Sequence, residues 1–152
     1  MIIELDMSSD IPIYVQLRNA IVKGIGTGEL LLGESLPTVR QMAEDLGINT
    51  MTVNKSYTLL KTEGFIEIDR RHGAKIKKTF TPNKDFQEKL EQELELLIAE
   101  SVIEGIDEEN FLKTCLSIFK NMILCKLPIP KKLQEVLENA MKEFTGEIKQ
   151  ND

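Results

Sequence analysis

The chain has no tryptophan, one histidine (His72), two cysteines and only 5% aromatic residues, and no apolar run approaches the length of a membrane span. Each scarcity excludes a class of function. A spanning helix needs about 18 or more consecutive apolar residues, so no membrane partner is expected. The lone His72 and the lack of a Cys-x-x-Cys pair leave no metal site to assemble. No Ser/His/Asp or Cys/His constellation and no glycine-rich phosphate loop after a strand can be built either. The chain therefore reads as a non-enzyme without a cofactor. Cys115 and Cys125 sit on one helical segment and are not placed to bridge each other. They read as small apolar residues in a reducing compartment. The opening MIIELDMSSD is acidic and is not a secretory signal. A cytoplasmic protein is expected.

What is present is an ordinary globular composition: 152 residues, 41% hydrophobic, net charge -6, with a mean hydropathy of -0.17. That suits one domain, or one small domain with an appended element. The charge is unevenly spread. Residues 1–78 carry ten Lys/Arg and ten Asp/Glu, whereas residues 79–152 carry nine against fifteen. Residues 36–78 hold eight basic and five acidic side chains. An overall negative charge argues against a non-specific nucleic-acid coat, but contact with phosphate needs only a local positive patch.

Along the chain, residues 1–5 are apolar enough for an extended edge strand. Asp10 and Pro12 open a helix with Ile13, Leu17, Ile21 and Ile25 on one face. Gly26, Gly28 and Gly33 break the next stretch, making Leu30 to Ser35 a loop with buried leucines. Thr38, with Gln41 three residues on, forms a capping-box pattern ahead of Val39, Met42, Ala43 and Leu46. Gly47 stops that helix. Asn49 caps a second one, running to about Glu63, with Val53, Ser56, Tyr57 and Leu60 facing inward. Phe65 to Ile68 alternates like a strand, Asp69 to Gly73 turns, and Ala74 to Lys78 returns. Pro82 marks a boundary, after which the pattern is helical.

In that second half, Phe86, Leu90, Leu94, Leu97 and Ile98 form one stripe. After Gly105, an acidic start at Asp107 to Glu109 leads into Leu112, Cys115, Leu116, Phe119, Met122 and Ile123. Leu127 to Pro130 forces a break before a last helix carrying Leu133, Val136, Leu137, Ala140 and Phe144. So small a helical appendage buries more by pairing with a twin than by folding on itself. A homodimer is expected, with Phe86, Leu90, Leu94, Leu97, Ile98, Leu112, Leu116 and Phe119 as its contact residues.

Once burial is assigned, the second helix of the first half keeps Thr50, Met51, Asn54, Lys55, Thr58 and Lys61 for other work. Thr50, Asn54 and Thr58 share a face. An asparagine can make two bonds to an adenine edge, and a threonine methyl packs on a thymine methyl. Thr50, Met51 and Asn54 lie in the first turns, the part of a recognition helix that reaches bases. Asn49 and Thr52 stand at the helix start, where phosphate binds; the plain alternative is that Asn49 only caps and Thr52 only covers the turn. Arg40 suits phosphate or guanine, with an ion pair to Glu44 as the plain alternative. The Asp69-Arg70-Arg71-His72-Gly73 tip clusters donors suited to backbone or minor groove, or else is a solvated charge run.

These residues closely resemble the GntR family of bacterial transcription regulators. The likeness covers roughly Pro12 to Ile76. It includes Pro12-Ile13-Tyr14, Gln16, Gly28, Gly33, Leu36-Pro37-Thr38-x-Arg40, Met42-Ala43, Leu46 to Asn49, Thr52-Val53, Lys55, Tyr57, Leu60 and Gly64 to Ile66. The resemblance implies DNA contacts at Arg40, Asn49, Thr50, Thr52 and Asn54, and on the wing at Arg70, Arg71, His72 and Gly73. Two departures stand out. Arg71 replaces the first glycine of the family's Gly-x-Gly wing, and Thr50 stands where relatives often carry proline. About 70 residues follow Pro82, all of helical pattern, which resembles the YtrA-type subfamily, whose short helical tail dimerises and whose members often adjoin transporter genes.

The expected fold is mainly α with a small β wing. Residues 1–80 form a winged helix-turn-helix and residues 81–152 an all-helical dimerisation region. The expected function is a homodimeric repressor on a pseudo-palindromic double-stranded DNA operator. The competing reading is a winged-helix adaptor using its acidic half as a protein surface. It has no need of Thr50, Met51 and Asn54 on one exposed face. The sequence names no small-molecule effector.

Overall fold

The computed structural model describes residues 3–69, 71–80 and 84–124. It contains α1 (Ile13–Gly26), α2 (Val39–Leu46), α3 (Thr50–Thr62), β1 (Ile66–Asp69), β2 (Gly73–Ile76), α4 (Lys84–Ile103) and α5 (Glu108–Leu124). The fold is mainly α with a β-hairpin wing, a winged helix-turn-helix followed by helices. No helix among the described residues is long and apolar enough to cross a membrane. Arg70, Pro82, Cys125, the 127–130 break and the helix expected beyond it lie outside the described residues.

The helix-turn-helix is defined by its caps. Thr38 Oγ1 accepts the Gln41 backbone N–H at 3.2 Å, satisfying one of the donors that a helix start leaves unpaired. The reciprocal half of the expected capping box does not form. Gln41 Nε2 donates to Asp45 Oδ1 at 2.7 Å, one turn further along the same face. Gly47 ends α2 with φ 64, a left-handed conformation that a side chain disfavours. Ile48 N–H then reaches back to Ala43 O at 3.0 Å while its side chain packs on the core, the hydrophobic closure of a Schellman end. One residue later, Asn49 Oδ1 accepts Met51 N–H at 2.7 Å and α3 begins.

Val53, Ser56, Tyr57 and Leu60 form the buried row of α3, as their spacing predicts. They meet Leu17, Ile21 and Ile25 of α1, Met42 and Ala43 of α2, and Ile66, Ala74 and Ile76 of the wing. Tyr57 O–H donates to Pro37 O at 2.8 Å, so the one polar atom of a large buried ring is satisfied. Burial pushes its phenol well above the ordinary range. Beyond the core row, Arg18 Nε meets Glu63 Oε2 at 2.7 Å and joins α1 to the end of α3.

The wing pairs antiparallel, Ile66 with Ile76 and Asp69 with Gly73, one residue later at its first strand than the alternation suggests. Its far edge is taken by the loop before α2. Gly33 N–H donates to Ile76 O, Ile76 N–H to Glu34 O and Leu36 N–H to Ala74 O, at 3.1, 2.8 and 2.9 Å.

Two expectations fail here. The edge strand at residues 1–5 does not form over the described Ile3 to Leu5. The Gln16 amide engages the next residue instead, accepting Asp6 N–H at 2.9 Å and donating to Asp6 O at 2.8 Å, and residues 33–36 occupy the outer edge of β2. Nor is the 30–35 loop lined with buried leucines. Leu30 is buried, but Leu31 and Leu32 are exposed: Leu30 N–H is drawn back to Gly24 O of α1 at 2.9 Å, and the bonds to β2 begin only at Gly33.

Downstream, Asp107 Oδ1 accepts Asn110 N–H at 2.8 Å and caps α5. Buried hydrophobic residues among those described all lie between Leu17 and Ile76. The approach of α5 to that unit is made at Gly26, where a Cβ would stand 3.4 Å from Met122 Sδ.

One feature of the core runs against stability. Ser56 Oγ is fully buried with no hydrogen-bond partner among the described residues, and an unpaired buried hydroxyl costs about 1–3 kcal/mol. Ser56→Ala is therefore expected to stabilise the protein by about 1 kcal/mol, read by urea unfolding. A loss of stability of that size would show that the hydroxyl has a partner.

Candidate nucleic-acid interface

Because α3 buries one row, its opposite face is free. Thr50, Met51, Asn54, Lys55, Thr58 and Lys61 are all exposed there, Met51 at 73%, and Thr52 is half-buried. The carboxamide of Asn54 makes no hydrogen bond among the described residues, leaving a donor and an acceptor side by side for a base edge. Thr58 Oγ1 donates to Asn54 O at 2.8 Å, so the hydroxyl of this exposed residue is spent on the helix. Asn49 Oδ1 is committed to the cap, which leaves only its amide donors. The plain reading of Asn49 as a cap is thus correct for the oxygen.

Arg40 is exposed in the first turn of α2 and enters none of the ion pairs among the described residues; the pair with Glu44 does not form. Lys55 has a partner that sequence periodicity does not reveal. Its Nζ sits 3.8 Å from the centroid of the Tyr14 ring on α1. Tyr14 stands in the first turn of α1, which packs on α3.

The wing tip is built differently from a free cluster of cations. Asp69 Oδ1 accepts Arg71 N–H at 2.7 Å and His72 N–H at 3.0 Å, and meets His72 Nδ1 at 3.0 Å. The backbone donors of Arg71 and His72, followed by the His72 ring, hold the Asp69 carboxyl below the usual range. Gly73 follows with φ 73, and a Cβ there would meet nothing within 4 Å. Glycine is therefore needed for the backbone angle and not for space. His72 is tied to Asp69, while Arg71 stays exposed at the tip. Asp69, which from sequence is merely part of a basic turn, is the residue that shapes it.

No hydrogen bond or ion pair among the described residues links the wing tip to the exposed face of α3. Both are held to the same core, through Ile66, Ala74 and Ile76 on one side and Val53, Tyr57 and Leu60 on the other. Of the expected dimer contacts, Phe86, Leu97, Ile98 and Phe119 are exposed, whereas Leu90, Leu94, Leu112 and Leu116 are half-buried.

Two capped helices across a three-residue turn, a second helix with a free polar face, and a following β wing define a winged helix-turn-helix DNA-binding protein. Residues 13–76 match the family model described as bacterial regulatory proteins, gntR family. The HTH-type transcriptional repressor YtrA of Bacillus subtilis (strain 168) is 32% identical over 111 residues, covering 70% of this chain and 84% of that protein. The solved structure of YtrA from Sulfolobus acidocaldarius, a GntR-family transcription factor, is 33% identical, covers 68% of this chain and 99% of that one, and superposes with a TM-score of 0.55. An HTH-type transcriptional regulator of Mycobacterium tuberculosis (strain ATCC 25618 / H37Rv) is 34% identical over 74 residues, covering 49% of this chain and 61% of that protein, less than two thirds of its length. The chain belongs to the GntR family: it is a DNA-binding transcription regulator and not an enzyme.

The Asp69 contacts set a pH window for the wing tip. The folded carboxyl titrates below its free value of 3.8, so its contribution is complete above that value and is lost as pH falls through the folded one. Amide resonances of Arg71 and His72 should therefore respond to protonation of Asp69 only in acid. Asp69→Ala should speed their hydrogen exchange at pH 7 while barely changing Tm. Unchanged exchange in that variant would show that the tip holds its shape without the carboxylate.

Proposed function

We propose that the protein is a homodimeric repressor of the YtrA type that reads a pseudo-palindromic operator, controlling itself and a neighbouring transporter operon. In this reading residues 1–80 are the DNA-binding domain and residues 81–152 the dimerisation region. The observation that carries it is the free carboxamide of Asn54, beside Thr50 and Met51, on the exposed side of a helix anchored by its opposite row. The two YtrA proteins match this chain beyond the winged helix-turn-helix, and one of them is named a repressor.

Each residue has a role in the complex. Asn54 makes paired bonds to an adenine edge, while Thr50 and Met51 pack on thymine methyls. Arg40, Asn49, Thr52 and Lys55 bind phosphate, and Arg70, Arg71, His72 and Gly73 bring the wing to the backbone or minor groove. Dimerisation is supported by the large side chains left in solvent on α4 and α5, including Leu96, Val102, Ile103 and Ile118 as well as Phe86 and Phe119. A monomer rarely leaves so much apolar surface in water. A twofold pair of recognition helices calls for half-sites about 10 base pairs apart, or a multiple of that.

Selection from a random DNA pool tests the reading. It fails if the protein shows no preference for its own upstream region over random DNA at near-physiological salt. Asn54→Ala is expected to cost about 1–3 kcal/mol and to relax preference at one position of each half-site. Arg40→Ala should weaken all sequences alike and reduce the salt slope by about 1 per half-site. Wild-type affinity in both variants would sink these assignments. For the dimer, Leu97→Glu is expected to shift the scattering mass from two chains to one while the helical signal persists. An unchanged mass would place the interface elsewhere.

A further inference from the structure

The recognition helix is sparing with charge. Its exposed first turns offer Thr50, Met51 and Asn54, all neutral, and its only cations are Lys55 and, in the last turn, Lys61. Lysine is the most loosely held of the phosphate-binding side chains, a point charge on a four-carbon stem with large rotamer entropy. Here it is not loose. The ammonium of Lys55 rests 3.8 Å from the centroid of the Tyr14 ring, within the range over which an aromatic face attracts a cation.

The chemistry of that partner matters. Where the fold needs α1 joined to the end of α3, it uses a carboxylate, Arg18 to Glu63 at 2.7 Å, and the cation is neutralised. Lys55 joins the same two helices through a π face instead. A ring quadrupole attracts the ammonium without cancelling its unit charge, and the N–H groups turned away from the ring stay free to donate. Lys55 enters none of the ion pairs among the described residues. A held but un-neutralised cation beside a base-reading face is what a phosphate contact requires: charge retained, with part of the ordering cost met before binding.

We propose that Tyr14 is a positioning residue for DNA binding, its ring holding the Lys55 ammonium ready beside the α3 face as a pre-placed phosphate clamp. This rests on α3 being the recognition helix. It adds a residue of α1, outside the helix-turn-helix, that acts through Lys55.

The test is a double-mutant cycle with operator DNA selected by the full-length protein, titrated at several salt concentrations. Tyr14→Leu should weaken binding about two- to fivefold, the size of an exposed cation–π tether. It should leave the salt slope unchanged, because Lys55 keeps its charge. Lys55→Ala should weaken binding and make the slope shallower by about 1 per half-site, and in that background Tyr14→Leu should have no further effect. Tyr14→Phe, which keeps the ring, should preserve the coupling to Lys55. In the free protein, the Lys55 ε-methylene protons should resonate upfield and move back in Tyr14→Leu; if that variant fails to fold, Tyr14→Met takes its place.

An equal loss from Tyr14→Leu with and without Lys55 would overturn the proposal, since Tyr14 would then act through packing or a contact of its own. Tighter binding in Tyr14→Leu would also overturn it, because the ring would be competing with DNA. A Lys55→Ala protein with unchanged affinity and slope would remove Lys55 from the interface as well. A loss from Lys55→Ala with none from Tyr14→Leu would refute the positioning role alone.

Discussion

The structure depends on how α3 is held. A helix that reads DNA must present one face without its own protein covering it, so all of its anchoring must come from the other. Val53, Tyr57 and Leu60 supply that anchor, and Tyr57 adds direction to it. Its ring fills the space between α3 and the start of α2, and its O–H ends on Pro37 O, one residue before the Thr38 cap. One side chain therefore fixes α3 against the entry to α2. The Gly47 to Asn49 turn fixes the opposite end of α2 to the start of α3. With both joints set by short-range bonds, the angle between the helices is not left to loop flexibility.

The wing follows from the same core. Ile66, Ala74 and Ile76 point into it, so the hairpin is seated by its inner residues while its tip projects beyond the buried area. The backbone of residues 33–36 covers the outer edge of β2, which leaves less exposed sheet edge to pair with another chain. At the tip, Asp69 binds the amides of the residues that follow it. The tip is thus shaped at the expense of some of its positive charge. The turn is set by two local devices together, the Asp69 carboxylate on the Arg71 and His72 amides and the left-handed Gly73 that follows.

How far this was readable from sequence depended on how local each interaction is. The caps at Thr38 and Asn49, the stop at Gly47 and the inner rows of α2 and α3 are properties of a few neighbouring residues, and they appear as the spacing predicts; in α1 the row holds from Leu17 to Ile25, while Ile13 stays outside the core. What escaped were choices between partners. Gln41 has the right identity and position for a capping box, yet its amide finds a carboxylate at Asp45 more readily than the backbone at Thr38. Gln16 takes up the backbone of Asp6, and the described Ile3 to Leu5 stretch, apolar enough to resemble a strand, packs Ile3 and Leu5 on the core without joining the sheet. Leu31 and Leu32 are indistinguishable from Leu30 by type; Leu30 is the one whose N–H returns to Gly24 O near the end of α1, a partner that residue type does not announce. On α3, the exposed face was legible because it is what remains after burial. The roles of Asp69 and Tyr14 were not, as a carboxylate among arginines and a tyrosine in an amphipathic helix both have ordinary explanations.

The charge pattern bears on why two copies would act together. Residues 36–78 carry a local excess of three positive charges, whereas residues 79–152 carry an excess of six negative ones. DNA repels the second group, although screening limits that to about 8 Å at physiological salt. A single head whose proposed reading helix carries only two cations, Lys55 and Lys61, gains modest affinity from counterion release, since each phosphate neutralised contributes one increment. Coupling two heads through the helical half makes the second binding event intramolecular and multiplies weak contacts into a tight complex. The same coupling favours specificity. With phosphate attraction kept low per head, random DNA holds either head weakly, and only paired half-sites at the right separation engage both. In the proposed dimer, the acidic helical half is then consistent with a selective regulator, because it adds nothing to non-specific binding while supplying the connection that specific binding needs.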